Sequence, residues 1–224
     1  MIEKIKQSIL FRGMTVDEIQ SCLGCARSQV VTYQKNEQIF RQDDLPEYLM
    51  MLIEGKVVIG KDFIDGRRNI LTTFQRPGDL FGEVLLYLEK NRYDYFAQAE
   101  METTVLKIPK DFVLHSCANE CLSHKKMTDN MVFIFAEKAY FLNQRLQIMS
   151  STSLRQKIAR MLITFCEEKP EKPLSMSRES MADFLSVARP SLSRELMKMK
   201  KDGLLKIEGQ KIFVVDFLEL EALL

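Results

Sequence analysis

Tryptophan is absent from this chain and histidine occurs only twice. No apolar run approaches the roughly 18 residues that a membrane-spanning helix needs, so no membrane partner is expected. The N-terminal Met1-Ile-Glu-Lys-Ile-Lys-Gln-Ser8 lacks the apolar core of a signal peptide, and a cytoplasmic protein is expected. Catalytic signatures are missing as well. There is no GxxxxGKS or GxxxxGKT phosphate loop, no HExxH and no GxSxG, and the two histidines have no matched nucleophile. The chain therefore reads as a non-enzyme. Five cysteines is an odd number, and in a reducing compartment they argue against a disulfide framework. A net charge of +1 gives no global attraction for nucleic acid.

At 224 residues the chain can hold two ordinary domains, and its 46% apolar and 28% charged residues are those of a globular protein. Charge is unevenly spread. Residues 150–211 carry thirteen Lys and Arg against eight Asp and Glu, whereas residues 1–149 carry nineteen against twenty. The basic stretch contains Met176-Ser-Arg-Glu-Ser-Met-Ala-Asp-Phe-Leu-Ser-Val-Ala-Arg-Pro-Ser-Leu-Ser-Arg-Glu-Leu196, which reads as two short helices around a turn. Ser177 can cap the first helix, and Met181, Phe184 and Leu185 form its apolar face. Ser186 occupies the turn, where Gly is more usual. Pro190 suits the start of the second helix, because its fixed φ and missing N–H cost nothing there.

Leu192 and Leu196 point back at the first helix, leaving Arg189, Ser191, Ser193, Arg194 and Lys198 outside, with Lys201 nearby. Arg can pair bidentately with guanine, Ser can reach base edges or phosphates, and the lysines suit a phosphate backbone. Gly203 to Val215 reads as a hairpin turning at Glu208-Gly-Gln-Lys211, so the whole is a winged helix-turn-helix. The plainer reading of the same residues is a helical hairpin with a solvated basic face.

Upstream, Thr15-Val-Asp-Glu18 is a capping box opening a short helix. Between about Val30 and Ile108, short β-rich runs alternate with turn signals such as Asp65-Gly66 and Arg76-Pro-Gly-Asp79, which predicts a jelly roll. From Lys125 to Met149 there is no Pro or Gly. Val132, Phe135, Ala139, Leu142, Leu146 and Met149 are spaced 3, 4, 3, 4, 3, a coiled-coil seam. A second stripe (Met127, Met131, Ile134, Phe141, Ile148) flanks it. One helix with two stripes can pack on its own domain and on a second copy, so a homodimer is expected. A single long core helix is the plainer alternative. Two-fold symmetry would match palindromic double-stranded DNA. A helix over Leu154–Glu168 and a charged loop, Glu167-Glu-Lys-Pro-Glu-Lys-Pro173, follow. The expected boundaries are 1–124 for the β-roll, 125–150 for the dimerisation helix and 151–224 for the DNA-binding domain.

This order, with Pro77-Gly-Asp-Leu-Phe-Gly-Glu83 in the roll and the helix-turn-helix, resembles the cyclic-AMP receptor protein / fumarate-nitrate regulator (CRP/FNR) superfamily over essentially the whole chain. The resemblance implies an α+β fold: an N-terminal double-stranded β-helix of the cyclic-nucleotide-binding kind, a long dimerisation helix and a C-terminal winged helix-turn-helix. It implies an effector-responsive transcription regulator. Arg189, Ser193 and Arg194 fall at the family's base- and phosphate-contacting places, and RNA polymerase becomes a partner if the protein activates. A Glu commonly stands where Pro190 is, so the preferred half-site should differ.

The effector is an unknown small molecule, and the implied pocket is Gly82, Glu83, Arg92, Tyr93, Asp94, Phe141 and Leu142. Cyclic-nucleotide members follow Gly-Glu with an Arg-Ser pair on the next strand, which here reads Tyr93-Asp94. Arg92 is one residue off, and a one-residue slip turns a side chain to the other face. Asp94 would repel a phosphate. The adenine-facing Thr-Ser reads Leu142-Asn143. Cyclic AMP is therefore not expected. An aromatic or other apolar anion among Tyr87, Tyr93, Tyr95 and Phe96 is the alternative, and halogenated phenols play that part in some relatives.

Two other readings stay open. Cys22-Leu-Gly-Cys25, with Cys117 and Cys121, could serve iron–sulfur or thiol sensing, although the family's cluster cysteines precede the first helix. His115 and His124 read as surface or core residues, and no metal is expected. A cyclic-nucleotide-type module that binds no DNA is the third reading.

Overall fold

The computed structural model describes residues 1–88, 92–115, 121–166 and 172–224. A short helix α1 (Ile2–Ile5) and a 3-10 turn (Ile9–Phe11) precede α2 (Val16–Cys25). The expected capping box closes α2. Thr15 Oγ1 accepts the Glu18 N–H at 3.2 Å and the Glu18 carboxylate accepts the Thr15 N–H at 2.8 Å.

Six strands follow: β1 (Gln29–Tyr33), β2 (Gln38–Phe40), β3 (Tyr48–Glu54), β4 (Val57–Asp62), β5 (Arg68–Phe74) and β6 (Leu80–Phe81). Then come α3 (Glu83–Tyr87), β7 (Phe96–Ala99), β8 (Thr103–Pro109) and α4 (Lys110–Leu114). The strands pair antiparallel in two four-stranded sheets, ordered β1-β8-β3-β6 and β2-β7-β4-β5. Met50, Leu52 and Val105 face Val57, Ile59, Ala97 and Ala99 between the sheets. The first sheet's other face (Leu49, Met51, Ile53, Leu106, Ile108) packs on Ile19, Leu23, Met127 and Met131 of the helices. β3 is thus covered on both faces, which is why Leu49-Met-Met-Leu-Ile53 is a continuous apolar run rather than an alternating one.

The long helix α5 spans Leu122–Met149. Met127, Met131 and Ile134 are buried in the first core and Ile148 in the second. Contacts divide the chain into Met1–Phe135 and Ala136–Leu224, with the division inside α5. The other stripe lies open. Val132, Leu142 and Leu146 are each more than 60% exposed, and Ala139 is exposed too. Phe135 departs in part from the expected seam, because its ring packs edge-on against Tyr87 with centroids 4.8 Å apart and joins the first core. Buried Asn130 fastens α5 to the N-terminal segment, donating to the Leu10 and Arg12 carbonyls at 3.0 and 2.9 Å.

The second unit continues with α6 (Leu154–Cys166), β9 (Leu174–Ser175), α7 (Arg178–Leu185), α8 (Arg189–Lys201), β10 (Leu205–Glu208), β11 (Lys211–Val214) and α9 (Phe217–Glu221). Most of the charged loop expected at 167–173 lies outside the described residues. The wing is a three-stranded sheet, β10-β11-β9, turning at Gly209-Gln210, and β9 was not expected from sequence. Ser177 Oγ accepts the Ser180 N–H at 3.0 Å and caps α7. Ser186 ends α7 in the left-handed region (φ 52, ψ 48), and the Val187 N–H returns to the Ala182 carbonyl at 2.9 Å. α8 starts at Arg189, one residue earlier than expected, with Pro190 in its first turn. Met181, Leu185, Leu192, Leu196, Met199 and Ile212 close the core.

Two stability changes are expected. Replacing Asn130 by Ala takes the donor from the buried Leu10 carbonyl and the half-buried Arg12 carbonyl and costs about 1–3 kcal/mol, read as a lower urea midpoint. An unchanged midpoint would show that the Asn does not hold α5. Ser186→Gly relieves a left-handed residue with a Cβ and should raise the second unit's stability by roughly 0.5–1 kcal/mol, whereas β-branched Val at 186 should lower it. Equal melting of Ser, Gly and Val at 186 would contradict this.

Candidate DNA interface and roll interior

Burial of Leu192, Leu196 and Met199 decides which way α8 faces. The opposite side carries Pro190, Arg194, Met197, Lys198 and Lys201, all exposed, with Arg189 exposed at the helix start. Ser191 and Ser193 sit half-buried on the two flanks of that face. Arg194 lies back along the helix, its Nε 3.3 Å from the Pro190 carbonyl. The one acidic side chain of α8, Glu195, is drawn off this face, 3.8 Å from both Arg155 Nε and Lys198 Nζ. Arg155 also pairs with Asp202, so one guanidinium ties α6 to the middle and the end of α8. Beyond the helix, Lys206 pairs with Glu208 at 2.8 Å, and Lys211 is exposed beside the wing turn. Met197 is a member of the outer face that reading for polar residues missed. Its place three after Arg194 and four before Lys201 was the signal.

In the first unit, Gly82 takes φ +79 at the start of α3, and Glu83 is 3% exposed. Tyr93 joins them. Its ring is buried and lies parallel to Phe40, centroids 3.8 Å apart and 12° between planes. Tyr95 and Phe81 lie around the same Phe40 ring. A Cβ on Gly82 would come 3.1 Å from Tyr93 Oη and 3.5 Å from Phe40 Cε1, so glycine is needed both for the turn and for this approach. Burial pushes the Tyr93 phenol far above its usual value, with the Tyr95 hydroxyl and the Glu83 carboxylate adding to it. Burial alone pushes Tyr87 up to about 12.

Arg92 and Asp94 do not belong to this group, contrary to the pocket expected from sequence. Both are exposed, and Arg92 Nη1 donates to the Asp43 carbonyl at 2.6 Å. Tyr93 precedes β7, and its two backbone hydrogen bonds to Asp43 and Asp44 hold the segment with the ring inward and its two neighbours exposed. Phe141 and Leu142 lie in the second unit, where Phe141 packs against Phe184 (centroids 6.0 Å apart) and Leu142 is exposed.

Cys22 is buried with its Sγ 4.0 Å from Met127 Sδ, while Cys25 is exposed. Cys117 lies outside the described residues. His124 stacks on Phe112 in the core, centroids 4.1 Å apart, and His115 is exposed after α4. Among the described residues no three Cys, His, Asp or Glu gather as a metal site, and no helix is long and apolar enough to cross a membrane.

Comparison with known proteins agrees with this layout. Residues 30–120 match the cyclic nucleotide-binding domain model, which points to a small-molecule effector without naming it, and residues 156–223 match the Crp-like helix-turn-helix domain model. The chain is 24% identical over 197 residues to the nitrogen fixation regulation protein FixK of Rhizobium meliloti, covering 87% of this chain and 85% of that one. It is 28% identical over 204 residues to the transcriptional activatory protein AadR of Rhodopseudomonas palustris, covering 88% and 81%. The Thermus thermophilus catabolite activator protein shares the fold, with a TM-score of 0.51 at 22% identity over 96% of this chain and 97% of that one. With a cyclic nucleotide-binding domain followed by a Crp-like helix-turn-helix, and relatives of the same kind along most of its length, the chain belongs to the CRP/FNR superfamily of transcription regulators.

Proposed function

We propose that this regulator works as a homodimer on palindromic double-stranded DNA, with the β-roll as its regulatory half and cyclic AMP not its effector. The observation that carries the DNA reading is the outer face of α8. Arg189, Arg194, Lys198 and Lys201 stand exposed there while Glu195 is held back by Arg155 and Lys198. Arg194 and Ser193 are suited to base edges, and Arg189, Ser191, Lys198 and Lys201 to flanking phosphates. Met197, half-exposed on the same face, offers an apolar contact to a thymine methyl.

The homodimer rests on the open stripe of α5. Val132, Leu142 and Leu146 stand exposed on it with Ala139, and half-buried Met149 continues it. Heptad-spaced apolar side chains of this kind associate with a second copy of the same stripe. The exclusion of cyclic AMP rests on the roll. Positions 93 and 94 supply a buried Tyr and an exposed Asp where a phosphate needs a cation, and Arg92 is turned to the Asp43 carbonyl. RNA polymerase is a partner if the protein activates, and the cytoplasm is the expected compartment.

Selection of bound duplexes from a random pool, with and without a small-molecule extract of host cells, tests this. A two-fold symmetric motif with half-sites about one helical turn apart is the expected product, and the absence of any motif in both conditions rejects the DNA reading. On the selected duplex, Arg194→Ala should cost roughly 1–3 kcal/mol and relax specificity at one position. Lys201→Ala should weaken all sequences alike and lower the salt slope by about 1. Full affinity after Arg194→Ala would mean that the outer face is wrongly assigned. Leu142→Glu with Leu146→Glu should turn the dimer into monomers in sedimentation velocity and cut operator affinity with it. A monomeric parent, or a dimer that survives both charges, excludes the seam.

A further inference from the structure

The roll carries a feature that neither the fold nor the DNA reading requires: a tyrosine packed tightly against the Gly82 turn. Gly82 and Glu83 begin α3 inside the first unit, and the family resemblance assigns this pair to the ligand. The side chain that meets them is the chain's own. Tyr93 Oη sits over Gly82 so closely that a single added methyl would approach it to 3.1 Å. The ring behind that hydroxyl is 2% exposed and stacks face to face on Phe40 of β2. Tyr95 stands at 5.8 Å from each of the two rings, and Phe81 and Phe74 extend the aromatic cluster.

Tyr93 is also held from its backbone. Its N–H donates to the Asp44 carbonyl at 2.9 Å and its carbonyl accepts from the Asp43 N–H at 2.8 Å, while Arg92 Nη1 closes on the Asp43 carbonyl. Residues 92–93 are thereby fastened to the turn between β2 and β3. Among the described residues Tyr93 Oη is buried with no hydrogen-bond partner, and its position is set by the ring's packing and the backbone clamp. With Tyr93 stacked on Phe40 and its Oη against Gly82, a ligand held at Gly82 would have to displace the Tyr93 ring.

We infer that Tyr93 is the roll's built-in occupant. Its ring on Phe40 above Gly82 completes the interior that a bound small molecule would otherwise complete. The chain therefore takes its DNA-binding form with no ligand in the roll, and a small-molecule effector acts by dislodging Tyr93 rather than by filling a vacancy. This rests on the reading of the protein as a DNA-binding regulator.

The test uses the full-length dimer, with operator binding by fluorescence anisotropy on the selected duplex and thermal unfolding in parallel. The parent should bind the operator without any additive, and cyclic AMP and cyclic GMP should change neither its affinity nor its Tm. Tyr93→Phe should keep both. Tyr93→Ala removes a phenol's worth of volume. It should bind the operator at least tenfold more weakly at a temperature where circular dichroism still shows it folded, and added phenol should restore both affinity and Tm. Leu106→Ala, a truncation in the helix-side core, should lower Tm without a response to phenol and keep operator affinity. Three results would overturn the inference. These are operator binding by the parent only with a cyclic nucleotide or with cell extract, full operator affinity in folded Tyr93→Ala, or a Tm rise of the parent with a cyclic nucleotide. Should Tyr93→Ala fail to fold, the parent and Tyr93→Phe arms decide alone. If no operator is found under any condition, the DNA reading fails, while the response of Tyr93→Ala to phenol in Tm still reports on whether the tyrosine fills a ligand-sized space.

Discussion

A single helix, α5, carries apolar side chains on more of its circumference than its own fold covers. Met127, Met131 and Ile134 are sealed in the first core and Ile148 in the second, while Val132, Leu142 and Leu146 are left in water. Exposed Leu and Val in such a row cost roughly 25 cal/mol per Å2 against a covered state, and the proposed homodimer is the state that would cover them. Asn130 and the Glu18–Lys126 pair bind the N-terminal helices to α5, and Ile148 roots it among the side chains that also position α7 and α8.

The two halves use their chemistry differently. In the first, polar groups are spent on turns and caps while the interior is closed with rings. Phe40, Phe81, Tyr93 and Tyr95 meet where β2, β6 and the segment before β7 converge, and Gly82 lets them approach the backbone. In the second, the interior is aliphatic and the charge is sorted. Arg155 pairs with both Glu195 and Asp202, and the exposed outer face of α8 carries Arg194, Lys198 and Lys201 while Glu195 is half-buried beside it. A global charge of +1 conceals this arrangement, because field at a surface depends on where charges stand and not on their sum.

The capping box at Thr15, the turn at Ser186 and the hairpin at Gly209 were all legible in the sequence, because each is set by residues a few positions apart. Local spacing also identified Arg194, Lys198 and Lys201 as one face, since helical periodicity puts them there whatever packs behind. Met197 was overlooked only because its type is apolar. The roll's site was less legible. The one-residue slip at Arg92 was visible, but the burial of Tyr93 and the exposure of Asp94 depend on hydrogen bonds between the segment before β7 and a distant turn.

What the sequence determined by itself was thus the helices, the roll and the winged helix-turn-helix, products of short-range periodicity and capping, while the family came from the resemblance of residues 77–83 and the helix-turn-helix residues. Tertiary structure alone decided that Phe135 leaves the seam for Tyr87, that β3 is buried on both faces, and that Phe40, Gly82 and Tyr93 converge. Those contacts join residues tens of positions apart, and they follow from which surfaces remain to be covered once the two sheets and α5 have packed.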